Sequence, residues 1–311
     1  MAAHFLFLAA AGLLQAPPPG AALLDVPADG MFDGMLAAGE GASAVPIRIR
    51  VGPDMPHRPF LTTSAAAAAR LSAVPVPHEI RIGPVRLEGT PSSALIALGG
   101  KVFLRGVSWF DGPMAEGADL ALGPRALPWE QVRFQLRPPR PGERRLRFPI
   151  VREGLIATVV RFRIGRQEVR LGFAPERPTS VATAAAGALL AATHDGRLGA
   201  AGAEPPIRLA TGIFRPVRAM RLARPLSIQG LPLAGLVVRT RDFGGETRLP
   251  GMDPADAAAA PDEVVVTARA DASPAVYYIM LGADVLAPCS TILFDNRRLR
   301  VELSCLLPEA P

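Results

Sequence analysis

A hydroxyl, an imidazole and a carboxylate fall within one short stretch, where Ser180 opens an alanine-rich run to Thr193 and His194-Asp195 follow it. The run predicts a helix ended at Asp195-Gly196. Such a helix holds Ser180 and His194 about 20 Å apart, so the three do not make a hydrolytic triad. Ser180 reads as the helix start and His194 as its polar end. No Gly-x-Ser-x-Gly elbow, phosphate-binding loop, dinucleotide fingerprint or His-Glu-x-x-His run is present. Cys289 and Cys305 are the only cysteines and suggest one disulfide, with two reduced buried thiols as the alternative. No His pair or acidic cluster lies near them, so neither a metal nor a cofactor is expected. Asp54 and Glu176 sit in turns and read as solvated carboxylates.

The chain has 311 residues and a net charge of +6, and Lys101 is its only lysine. Its arginines alternate along strands rather than clustering with aromatics, which argues against a nucleic-acid surface. The N-terminal run Phe5 to Leu14 matches the apolar core of a secretory signal and is too short to span a bilayer. Residues 1–22 are therefore expected to be a signal peptide and the product periplasmic or secreted, soluble, with no transmembrane anchor.

Period-two patterning dominates the rest of the chain. Residues 23–45 read as a flexible lead-in. Ile47, Ile49 and Val51 alternate with Arg48 and Arg50, the pattern of a half-buried strand. Gly52 to Pro59 reads as a turn and Phe60-Leu61 as a new strand. Ile80, Ile82, Val85 and Leu87 flank a Gly83-Pro84 turn, and Val132, Phe134 and Leu136 alternate again. Residues 138–150, rich in proline and arginine, are the expected linker. Beyond it Val160, Phe162 and Ile164 and then Val169, Leu171 and Phe173 form a hairpin pattern. Further strands are expected around 217–222, 226–238, 263–268, 276–281 and 299–303, with a loop at 243–262. The division is an N-terminal β lobe at 46–137, a C-terminal β lobe at 151–305 and a tail at 306–311.

The two lobes repeat one plan. Each has a hairpin, then an alanine-rich segment (Ser64 to Ala69; Ser180 to Ala192), and later an apolar run ending at a glycine, Leu122-Gly123 and Leu281-Gly282. This plan resembles the lobes of the pepsin and retropepsin-like aspartic peptidases. The resemblance implies an all-β fold of two related lobes, with one substantial helix in the second. It also implies two aspartates, one from each lobe, sharing a proton across a cleft. Where the family has Asp-Thr-Gly-Ala, the chain is read as Thr62-Thr63-Ser64-Ala65, and Ala174 stands at the second aspartate position.

On that alignment both carboxylates are missing. The expectation is a catalytically silent relative that binds a peptide or protein partner between the lobes. An active endopeptidase built on other residues and a structural envelope protein are the alternatives. Trp109, Phe110 and Asp111 read either as aromatic lining of the cleft or as a strand end with its turn.

Overall fold

The computed structural model describes residues 22–76, 78–82, 85–110, 116–151, 157–200, 202–209, 212–240 and 276–307. The expected signal peptide, Asp111 and the expected strand at 263–268 lie outside them, apart from Ala22 at the end of the former. The protein is mostly β, in two lobes joined by a shared sheet.

The first lobe is a seven-stranded sheet. Its strands are β2 (Met31–Ala37), β3 (Val45–Val51), β4 (Phe60–Thr62), β5 (His78–Ile82), β6 (Val85–Leu98), β7 (Lys101–Phe110) and β8 (Leu120–Leu122). They run in the order β2-β3-β8-β4-β7-β6-β5, and an added β2–β6 pairing curls the sheet into a barrel-like form. Helix α1 (Thr63–Ala68) follows β4. Alternation explains the strands: Ile47, Ile49 and Val51 are buried, while Arg48 and Arg50 face outward to different degrees.

The second lobe holds β11 (Val160–Ile164), β12 (Gln167–Phe173), β13 (Val181–Ala182), β14 (Gly196–Leu198), β17 (Val217–Ile228), β18 (Leu231–Arg239) and β19 (Tyr278–Leu281). Their order is β11-β12-β19-β13-β18-β17-β14. Helix α2 (Ala184–His194) is longer than its first-lobe counterpart. Its cap is Thr183, whose side chain accepts from the Ala186 amide, so the helix starts after Ser180. Asp195 closes it in the left-handed conformation. A separate hairpin, β15 (Ile207–Arg208) and β16 (Phe214–Arg215), stands apart from both sheets.

The repeat expected from sequence appears as one strand pattern used twice. In the first lobe β3 runs parallel to β8, β8 antiparallel to β4, and β4 parallel to β7. In the second lobe β12, β19, β13 and β18 are joined in the same alternation. Each lobe then turns sharply after its late glycine: a 3-10 turn at Pro124–Ala126 in one, helix α3 (Ala283–Leu286) in the other.

A five-stranded sheet, β1-β9-β20-β21-β10, unites the lobes. It consists of β1 (Leu23–Val26), β9 (Gln131–Gln135), β10 (Arg144–Pro149), β20 (Cys289–Asp295) and β21 (Arg300–Cys305). Two sequence expectations are corrected by it. Residues 23–45 are not a loose lead-in, because Leu24 and Val26 are buried and β1 pairs with β9. The segment 138–150 is not simply a linker either. Leu146 and Phe148 are buried and β10 pairs with β21, so its arginines are the outward half of a strand.

Aromatic rings tie this sheet to the second lobe. Phe134 meets Phe294 at 5.7 Å between centroids, Phe294 meets Phe173 at 6.3 Å, and Phe173 meets Phe148 at 6.2 Å. Cys289 and Cys305 are disulfide-bonded across β20 and β21. With a sequence separation of 16, the closed loop is worth about 3 kcal/mol on the chain-entropy scale. Among the described residues no helix is long and apolar enough to cross a membrane.

Candidate functional site

Strands β3 and β12 lead into two matching turns. In the first, Gly52-Pro53-Asp54-Met55, the Met55 amide donates to the Gly52 carbonyl at 3.2 Å. In the second, Ala174-Pro175-Glu176-Arg177, the Arg177 amide donates to the Ala174 carbonyl at 2.9 Å. Both turns place proline second, where its fixed φ suits a turn, and an acid third. Each is held from behind by the late apolar-Gly motif. The Gly52 amide donates to Leu122 and the Ala174 amide to Leu281, at 3.2 and 2.9 Å.

The late glycines are required by this packing. A Cβ on Gly123 would run into the Met55 carbonyl oxygen, and one on Gly282 would sit 2.7 Å from the Thr179 carbonyl carbon. The Gly123 amide donates to Pro56, and the Ala283 amide to Arg177, at 2.8 and 2.7 Å. In the second lobe Ser180 adds a lock. Its hydroxyl donates to Asp284 Oδ1 at 2.7 Å and accepts from the Gly282 amide at 2.9 Å. Ser180 is therefore a brace of the turn rather than a nucleophile.

The two turns meet. The Glu176 and Asp54 carboxyls are close enough to interact electrostatically, so acids at equivalent places in the two lobes converge. Asp54 is buried, at 3% exposure, whereas Glu176 is exposed. Burial first, and the Glu176 charge second, push the Asp54 carboxyl up to about 7, against the pull of Arg177 and Arg50. Among the described residues neither Asp54 Oδ1 nor the buried Tyr278 hydroxyl has a hydrogen-bond partner. Burial and then the Asp54 charge raise that phenol above its ordinary range.

Glu176 opens onto a cavity of about 320 Å³ between the lobes, with Arg50, Gly52, Pro53, Arg137 and Pro175 among its lining residues. Just beyond the first turn His57 reaches across to Thr158, Nδ1 to Oγ1 at 3.3 Å. Desolvation, and then the Arg125 charge, drive His57 down to about 4, so it is neutral at physiological pH.

The residues expected from sequence fall elsewhere. Thr62 caps α1, accepting from the Ala65 amide, while Thr63 and Ser64 are exposed on its first turn. The equivalent of Thr62 is Thr183, which caps α2 in the same way. Ala174 directly follows β12, and its equivalent is Gly52, which directly follows β3. The expected alignment thus mixed two registers, taking the strand after the turn for the turn itself. Phe110 is buried against Phe60 at 4.9 Å between centroids, and Trp109 packs against the core beside it. Both are strand residues. The signal that reasoning from sequence passed over is the doubled Pro-acid turn, Pro53-Asp54 and Pro175-Glu176.

Among the described residues no group of three or more His, Cys, Asp or Glu could hold a metal. Compared with known proteins, the chain matches no family model and no curated protein.

Proposed function

We propose that the protein is a peptide-bond hydrolase of the aspartic type whose carboxyl pair is Asp54 and Glu176. One observation carries this: acids at equivalent turns of two repeated lobes are electrostatically coupled, one buried and raised to about 7, the other open to a cavity. Two carboxyls that share one proton can activate water and polarise a carbonyl together. Asp54 holds the proton. Glu176 takes one from a water in the cavity as the water oxygen attacks the carbonyl carbon, and the Asp54 proton passes through the Glu176 carboxyl to the carbonyl oxygen. As the C–N bond breaks, Glu176 protonates the leaving nitrogen and Asp54 recovers its proton. Because Asp54 must be protonated, activity is expected below pH 7 and to fade above it.

The reading is tested by incubating the protein with an unfolded protein substrate from pH 3 to pH 8. Cleavage that a pepstatin-like inhibitor blocks, and that falls at least 10³-fold in Asp54→Asn and Glu176→Gln, is the expected result. No cleavage at any pH supports the second reading, a silent relative that binds a peptide or protein partner in its cleft. That reading is favoured by Ala174, which stands just after β12 where the resemblance puts the second aspartate. The disulfide fits an oxidising compartment such as the periplasm in either case.

A further inference from the structure

The lobes also touch just past the turn that carries Asp54. Pro56 of the first lobe and Ala157 of the second form an isolated antiparallel β-bridge. The next residue on each side closes the contact, where His57 Nδ1 and Thr158 Oγ1 share a hydrogen bond of 3.3 Å. Thr158 is wholly buried, and His57 Nε2, buried too, meets no hydrogen-bond partner among the described residues. Both sides are anchored from behind. The Pro56 carbonyl accepts from the Gly123 amide at 2.8 Å, and the Val159 carbonyl accepts from the Val151 amide at 2.9 Å. Neither Pro56-His57 nor Ala157-Thr158 belongs to a named strand, so this contact can part while every sheet stays paired.

We propose that this contact is an acid-sensitive latch between the lobes, closed while the His57 ring is neutral and released when the ring is protonated. A neutral imidazole carries one N–H, and the bond to Thr158 works with its Nδ1 as either donor or acceptor. The imidazolium carries two. Its Nε2–H would then be a charged donor, buried and without an acceptor, which is costly until the ring reaches water. The surroundings add to that cost. Arg125, on the Pro124–Ala126 turn, is the charged residue that acts on His57, and Arg58 follows it in the chain. Ala157, Thr158 and Val159 on the facing segment carry no charge. Burial and then Arg125 keep the ring neutral down to about 4, against a weaker pull from the Ala157 backbone, so release belongs to distinctly acidic surroundings.

Hydrogen–deuterium exchange of the full chain at pH 6 and pH 3, corrected for intrinsic exchange rates, is the test. Protection of residues 157–160 should fall at least about tenfold at the lower pH, while β9, β20 and β21 of the shared sheet keep theirs. His57→Gln retains a side chain able to bond Thr158 but takes up no proton. Its loss over the same range should stay below about twofold. Equal loss in the parent and His57→Gln overturns the latch, as does no loss in the parent. Loss spread evenly over the chain also overturns it, since that is global acid unfolding. If His57→Gln does not fold, Arg125→Gln serves: without that charge the release should begin at a higher pH, and an unchanged midpoint is decisive against the proposal. Exchange needs no substrate, so the result stands whether or not the carboxyl pair cleaves peptides.

Discussion

The turns Gly52–Met55 and Ala174–Arg177 share a backbone but not a setting. Each has the same internal hydrogen bond, the same brace from a Leu-Gly pair and an acid in third place. Asp54 nevertheless lies under protein while Glu176 faces a cavity. The difference teaches how a duplicated fold divides labour. Matching backbones bring two acids together, and unequal desolvation decides which keeps the proton. The surroundings also differ behind the turns. Asp284 and Ser180 lock the second one, whereas the first relies on backbone contacts to Gly123.

The largest effect should come from the glycines behind the turns. Gly123→Ala and Gly282→Ala both press a methyl into main chain, at a cost of roughly 2–4 kcal/mol each. Thermal unfolding measures this. Gly123→Ala should be the costlier, because its Cβ meets the Met55 carbonyl oxygen head-on. Equal and negligible losses in the two variants would break the claim that these glycines carry the turns.

A pH series sharpens the same comparison. Asp54 is raised from 3.8 to about 7, so the native state keeps a proton that the unfolded chain has lost. Its contribution is full below about pH 4 and disappears as pH rises through about 7. His57 is lowered from 6.5 to about 4, so there the unfolded chain holds the extra proton. Its contribution is full above about pH 6.5 and falls away toward pH 4. The two slopes oppose each other over one window. Asp54→Asn should make stability rise more steeply with pH than in the parent, and His57→Gln should make it fall. Parallel curves for the parent and both variants would show that neither group is shifted.

The smallest effect belongs to the helix caps. Thr62→Ala and Thr183→Ala each remove one side-chain acceptor from a helix start, worth about 1 kcal/mol. Thr183→Ala should cost more, since Thr183 also donates to the Val276 carbonyl at 2.5 Å and is buried. Chemical denaturation resolves the difference, and a larger loss at Thr62 would reverse it.

Much of the architecture was legible in the residues themselves. Ile47-Ile49-Val51 and Val169-Leu171-Phe173 announced their strands because each strand buries one face, and period two follows from that alone. Leu122-Gly123 and Leu281-Gly282 announced the repeat because only glycine lets a strand end lie against a turn. The cysteine pair announced its bond by spacing. The site was harder to read. Thr62-Thr63-Ser64-Ala65 looked like a turn but is a strand end and helix cap, because Thr and Ser suit both roles. Asp54 and Glu176 both read as solvated acids, since a carboxylate in a Pro-containing turn is ordinarily at the surface; that holds for exposed Glu176 and fails for buried Asp54.

What the sequence determined by itself is local: strand periodicity, the places where only glycine fits, and the acid in each turn. Tertiary structure alone decided that these acids meet, that Asp54 is the buried one, and that a distant hairpin packs against the apolar cluster that includes Met55. The physical reason is range. Side-chain alternation and turn preference act over a few residues. Desolvation and the coupling of two charges depend on what the rest of the chain folds over them.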